Sequence, residues 1–229
     1  MANLIAFDLD GVLYSAEPFL GEAYRDAIAN VNARRPGSFP YVPTTREILD
    51  HVGWPVPVIL ARLFPHVDPG AVELLYRETL VVISAYVERG AGVLFPDVQP
   101  TLAALRRDGF ELAIASNGRR RYIESVLTTY GIGGRFRPLI TIEDPSVRSK
   151  ADIIHAHLRQ LALPPAAAVM IGDRASDVEA ARAVGCAFIG CDYGHGYRDE
   201  IAGAGPVVAA FAALPAVITE TLCNGVAGG

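Results

Sequence analysis

Cysteine is scarce in this chain. Cys186, Cys191 and Cys223 are odd in number and lack metal-type pairing, which argues against a disulfide framework or a zinc centre and leaves three thiols expected to be buried. Long apolar runs are missing too. A stretch such as Leu80 to Ala85 is far short of the roughly 20 residues a membrane-spanning helix needs, and residues 1–8 lack the basic start and apolar stretch of a signal peptide. A cytoplasmic protein is expected, with no membrane partner. Excess basic charge is also lacking: 20 Lys and Arg stand against 25 Asp and Glu, for a net charge of −5, and the basic residues are scattered. Without an electrostatic footprint for a polyanion, nucleic acid is not an expected partner. Internal repeats and low-complexity segments are absent. The glycine-rich end, Gly225 to Gly229, is expected to fray.

What is present is enough chain, 229 residues, for one good core with an insertion, and one informative stretch near its start. Residues 4–13 read Leu-Ile-Ala-Phe-Asp-Leu-Asp-Gly-Val-Leu, an apolar strand running into two carboxylates and a glycine. Side chains two apart on a strand share a face, so Asp8 and Asp10 are presented together at its carboxyl end while Leu9 turns inward. Two close carboxylates repel unless a cation lies between them or one keeps its proton, and either arrangement is a chemical site.

After this strand the period changes. Helices are predicted over Glu17 to Ala33, Thr44 to Val52, Val56 to Leu63 and Pro69 to Glu88, separated by Pro36, Pro40, Pro43, Pro55, Pro57 and Pro65. This makes residues 16–92 an all-helical insert, leaving 1–15 and 93–229 as the parent domain. The later chain alternates. Helices are expected over Asp97 to Arg107, Arg119 to Tyr130, Ser149 to Leu161, Ala175 to Val184 and Phe211 to Leu222, with strands at Phe110 to Ala115, Leu139 to Ile142, Ala167 to Ile171 and Ala187 to Gly190. Continuously apolar strands such as Leu112-Ala113-Ile114-Ala115 belong to a parallel sheet covered on both faces, a doubly wound α/β fold.

Ligands of such sheets bind beyond the carboxyl ends of the strands. Here those ends carry Asp8 and Asp10, then Ser116-Asn117-Gly118, then Gly172-Asp173-Arg174-Ala175-Ser176-Asp177, with Lys150 opening a helix between the last two. Four carboxylates, Asp8, Asp10, Asp173 and Asp177, fit an oxygen-loving divalent cation such as magnesium, which keeps some waters and takes up a phosphate oxygen. The Ser116 hydroxyl and the amides of Asn117 and Gly118 at a helix start make an anion site, to which Lys150 adds positive charge. Arg119, Arg120 and Arg121 begin a helix where the macrodipole disfavours them, and a substrate anion near Arg119 would offset this. Tyr14, Glu17, Arg25 and Arg46 lie in or beside the insert and read as structural. His51, His155, His157 and His195 show no ligand spacing.

These segments together resemble the haloacid dehalogenase superfamily. Asp8-Leu9-Asp10-Gly11-Val12 matches its first motif, Ser116 the second, Lys150 the third and Gly172 to Asp177 the fourth, G-D-x-x-x-D. The insert is similar to the helical cap of the phosphoglycolate-phosphatase-like subgroup, as is the stretch from Gly190 to Tyr197. The resemblance implies a magnesium-dependent phosphatase acting on a small phosphorylated metabolite, phosphoglycolate-like or a nucleotide or sugar phosphate, as a monomer or homodimer. Asp8 would be the nucleophile, Asp10 the general acid and base, and Asp8, Asp173 and the Asp10 carbonyl the metal ligands, with Asp177 supporting them. Ser116 and Lys150 would hold the phosphoryl group. Val12 is also seen in β-phosphoglucomutases, so a phosphomutase is the alternative, and a non-catalytic phosphometabolite-binding protein a further one.

Overall fold

A computed structural model describes residues 3–226, with side chains through 223. Five strands form a parallel sheet in the order β4-β1-β5-β6-β7, from β1 (Leu4–Phe7), β4 (Glu111–Ile114), β5 (Ala168–Gly172), β6 (Ala187–Cys191) and β7 (Val207–Val208). The register pairs Phe7 with Ile114 on one side and with Ile171 on the other, so β1 runs centrally between β4 and β5. The chain leaves β1 for one neighbour and later returns to the other. This places the carboxyl ends of β1, β4 and β5 around one crevice, the topological switch point of such folds.

Strand alternation sends successive residues to opposite faces. Ile5, Phe7, Val169 and Ile171 pack on the face covered by α5 (Val98–Arg107), α6 (Arg120–Thr129) and α10 (Leu214–Val226). Leu4, Ala6, Ala168 and Met170 pack on the other, under α7 (Lys150–Leu161) and α8 (Ala175–Val184). Phe7 lies 5.9 Å from the ring of Phe211 and edge-on to Phe136 at 6.2 Å. Truncating a phenylalanine packed this way costs about 3–5 kcal/mol.

Between β1 and β4 the chain forms α1 (Glu17–Arg34), α2 (Thr45–Leu49), α3 (Val56–Leu63) and α4 (Pro69–Glu88). Their ends follow local chemistry. Thr44 and Glu47 make a reciprocal capping box, and Asp68 accepts from the Ala71 amide at 3.1 Å with Pro69 in the first turn, where its missing N–H costs nothing. The chain passes into and out of these helices through a short antiparallel ribbon, β2 (Tyr14–Ser15) against β3 (Val93–Leu94).

Several expectations differ from the structure. Residues 139–142 form no strand. Pro138 supplies no donor, and Thr141 is drawn into a turn in which its N–H donates to Asp144 Oδ2 at 2.7 Å, leaving one ladder-like bond, Arg137 N–H to the Leu112 carbonyl. The ribbon strands, β7 and the short α9 (Arg198–Ile201) lie in stretches too brief to show a period. Of the cysteines, Cys191 is buried, Cys186 half-buried and Cys223 exposed. The expected frayed end is helical to Val226, and residues 227–229 lie outside the described residues. No helix among the described residues is long and apolar enough to cross a membrane.

Candidate active site

Strand β1 delivers Asp8 to the crevice, buried, with its N–H still in the sheet and bonded to the Ile171 carbonyl at 2.9 Å. The chain then turns. Leu13 and Tyr14 amides donate back to the Leu9 carbonyl, and Gly11 takes a left-handed φ of 81°. A Cβ there would stand 2.2 Å from Asp173 Oδ2, so the turn needs glycine both for its backbone and for the approach of that carboxylate. At the end of β5, Gly172 is held to glycine by the side chain of Asp177, which packs where a Cβ would be.

Asp8, Asp173 and Asp177 converge, each offering a carboxylate oxygen within 4.8 Å of the others. Their remaining oxygens are committed differently. Asp177 accepts from the Asp173 and Arg174 amides at 3.1 and 3.0 Å and from Lys150 Nζ at 2.6 Å. Asp173 Oδ2 accepts from the His195 and Gly196 amides at 2.8 and 2.9 Å. Asp173 Oδ1 is buried with no hydrogen-bond partner, while Asp8 Oδ2 faces the Lys150 ammonium. Leaving a buried carboxylate oxygen unpaired is costly, and an oxygen-seeking divalent cation is what the chemistry of this cluster fits. Lys150, the single lysine of the sequence, is the cation already present, 2.9 Å from Asp8 Oδ2. Ser149 caps the helix and sets Lys150 at its first position. Although burial opposes it, the charges of Asp177 and Asp8 raise the Lys150 pKa, so the ammonium is retained.

The Asp10 carboxylate stays outside this cluster. Oδ1 accepts from the Tyr122 hydroxyl at 2.5 Å, and burial, with the charges of Asp8 and Asp173, pushes its carboxyl up to about 7 against the pull of that bond. Burial, then the charge of Asp8, likewise raises Asp173 to about 6. A carboxyl near 7 can both give and take a proton.

Ser116 is buried beside the cluster, and its Oγ accepts from the Gly118 amide at 3.1 Å, which commits that N–H within the turn instead of to an anion. Asn117 sends its side chain to the helical insert, donating to the Gly53 carbonyl at 2.8 Å. Arg119 acts similarly. Its guanidinium donates to the Tyr76 carbonyl at 2.9 Å, lies 4.1 Å over the Tyr76 ring and pairs with Glu143 at 3.4 Å. Glu143 also accepts from the Arg120 amide at 2.7 Å and Asp144 pairs with Arg120 at 2.6 Å, so protein carboxylates provide the charge that the helix start was expected to draw from a substrate.

Sequence reasoning passed over Tyr122, in the first turn of a helix with no motif around it, and Arg174, which donates to the Leu49 carbonyl and ties the insert to the loop after β5. It noted residues 190–197 only for likeness, and could not see that two of their amides hold Asp173. Together Asp8, Asp10, Ser116, Asn117, Gly118, Arg119, Tyr122 and residues of the insert line one cavity of about 100 Å³.

A strand-end carboxylate pair, a buried lysine and an acidic cluster meet at the switch point of a parallel sheet, and the sequence family gives the class: residues 2–185 match the haloacid dehalogenase-like hydrolases, to which the chain belongs. Among curated relatives it is 28% identical over 212 residues to a phosphoglycolate phosphatase of Haemophilus influenzae, covering 89% of this chain and 92% of that protein. It is 30% identical over 214 residues to that of Vibrio cholerae, covering 89% and 90%. In fold it is similar to a protein of Haemophilus somnus described as a predicted phosphoglycolate phosphatase, with a TM-score of 0.82, 24% identity and coverage of 95% and 98%. The CbbY protein of Rhodobacter sphaeroides in complex with phosphate is another likeness, with a TM-score of 0.75, 24% identity and coverage of 93% and 96%.

Proposed function

We propose that the chain is a magnesium-dependent phosphatase that hydrolyses a small phosphate ester through an aspartyl-phosphate. The observation that carries this is the division of labour between two carboxylates of one loop. Asp8 sits buried beside the Lys150 ammonium, while Asp10 is set apart by Tyr122 with its pKa near neutrality. The curated relatives, phosphoglycolate phosphatases, support the same class of reaction.

An Asp8 oxygen attacks phosphorus, and the bond from phosphorus to the ester oxygen breaks as Asp10 gives that oxygen its proton. Asp10, now ionised, takes a proton from a water that attacks phosphorus. The bond to Asp8 breaks, releasing inorganic phosphate and restoring both carboxylates. Ser116 and Lys150 hold phosphoryl oxygens as charge shifts between them. Asp8, Asp173 and the Asp10 carbonyl would hold magnesium, with Asp177 fixing Lys150 and the Asp173 loop. When bound, the ion neutralises phosphoryl charge and orients the group for in-line attack. The helical insert, tied down by Asn117, Arg119 and Arg174, keeps bulk water from the site. Val12, the residue shared with mutases, is fully buried.

The test is phosphate release from small phosphate esters with and without magnesium, beside Asp8→Asn. Magnesium-dependent release lost in the variant is the expected outcome. An isomerised sugar phosphate in place of free phosphate would mean a mutase, and no release above the variant would end the hydrolytic reading.

A further inference from the structure

The cavity that continues from Asp8 and Asp10 into the helical insert has walls of one character. Leu20, Leu49, Val52, Trp54, Ile59 and Ile83 all face it. Beyond Asp8, Asp10, Ser116, Asn117 and Tyr122 at its phosphoryl end, the polar groups it offers are few, and Arg119 is the one arginine or lysine among the described ones. Thr79 Oγ1 is already used, donating to the Tyr76 carbonyl at 3.1 Å. What is left is the Tyr24 hydroxyl and His195, whose Nε2 is buried without a partner.

Positive charge is the missing element. Among the described residues that line the cavity, Arg119 is the sole arginine or lysine, and its guanidinium is bound to the Tyr76 carbonyl, the Tyr76 ring and Glu143. A leaving group carrying a carboxylate would be desolvated against leucine, isoleucine and tryptophan with no free cation to meet it, which costs several kcal/mol. A polyhydroxylated sugar would leave most of its hydroxyls unpaired for the same reason. A hydrocarbon loses nothing on entering and gains from leaving water.

We infer that the enzyme's preferred substrates are phosphate monoesters with a compact, uncharged and mainly apolar leaving group, a short alkyl or a single aryl ring, and not the carboxylate-bearing phosphoglycolate of its curated relatives. This rests on the phosphatase reading and narrows it. The cavity, about 100 Å³ and shared with the carboxylates and Ser116 at its phosphoryl end, favours small leaving groups. It is smaller than the roughly 150 Å³ apolar cavities that enclose benzene, so a single ring is the upper range and reaches toward the open side.

The test is phosphate release by the whole protein with magnesium. The substrates are methyl, ethyl, propyl and butyl phosphate, phenyl phosphate, phosphoglycolate and glucose 6-phosphate. Acetyl phosphate is included because its leaving group needs neither a pocket nor much protonation. Along the alkyl series kcat/KM should rise about fourfold for each methylene, the factor expected for burying one CH₂ group. Phenyl phosphate should exceed phosphoglycolate at least about 100-fold, the scale of an unpaired buried charge. Val52→Arg, at a half-buried position on the cavity wall, should shift that ratio toward phosphoglycolate about tenfold or more, as one added ion pair would. The wild-type series decides the question without the variant. A flat alkyl series, or preference for phosphoglycolate or glucose 6-phosphate while acetyl phosphate is hydrolysed, overturns the inference and leaves the phosphatase standing. If not even acetyl phosphate is hydrolysed above the Asp8→Asn background, the phosphatase reading falls and this inference falls with it.

Discussion

His157 makes the stability of this protein depend on pH in a way that one substitution isolates. It lies on α7 with 1% of its surface exposed, and neither ring nitrogen has a hydrogen-bond partner. Burial, helped by the charge of Arg137, lowers its pKa from 6.5 to about 4. Between those values the unfolded chain binds a proton that the folded one refuses, so stability falls as the pH drops below about 6.5 and stops falling below about 4. At pH 5 the unfolded imidazole is almost fully protonated and the folded one about one-tenth so, which amounts to a loss of about 2 kcal/mol relative to pH 7.5. The full effect below pH 4 is about 3 kcal/mol. His157→Leu removes the titration while keeping an apolar side chain in the same space. Urea unfolding of both proteins at pH 7.5 and 5.0 should show the wild type losing about 2 kcal/mol more than the variant over that interval. Equal losses in the two proteins would refute the reasoning, because other groups titrate identically in both.

Three further outcomes are expected. Lys150→Met strips the cation from Asp8 and Asp177, which should reduce stability by about 3–5 kcal/mol in urea unfolding and abolish measurable phosphate release. Tyr122→Phe leaves the Asp10 carboxylate without its 2.5 Å donor; a charged hydrogen bond of about 1.5–3 kcal/mol corresponds to a kcat lower by about 10- to 100-fold, with a lower melting temperature beside it. Gly11→Ala forces a Cβ against Asp173 in a left-handed turn, and should raise the magnesium concentration needed for half-maximal activity together with lowering stability by at least about 1–2 kcal/mol.

The parallel strands were legible because runs such as Ala168-Val169-Met170-Ile171 have few ways to be buried except between two helical layers. The strand expected at Leu139 to Ile142 failed although its residues are apolar, since Pro138 and the Thr141–Asp144 turn take away the donors a ladder needs. Arg119 read as an anion ligand by its position after a strand. The structure turns its side chain, like that of Asn117, toward the insert, because the carbonyls of Tyr76 and Gly53 lie within reach and were invisible from the local pattern.

Local order therefore determined where the carboxylates stand. A strand period of two, a glycine after Asp10 and a helix start at Lys150 are properties of neighbouring residues, and neighbouring residues are what a sequence displays. Tertiary structure decided what each carboxylate meets and what the substrate touches. Tyr122 reaches Asp10 across 112 residues and Arg174 reaches Leu49 across 125, and the apolar wall of the cavity comes from segments that meet only when the insert folds over the sheet. Such contacts form because burial brings together surfaces that are remote along the chain, and nothing in the spacing of either segment records the distance to the other.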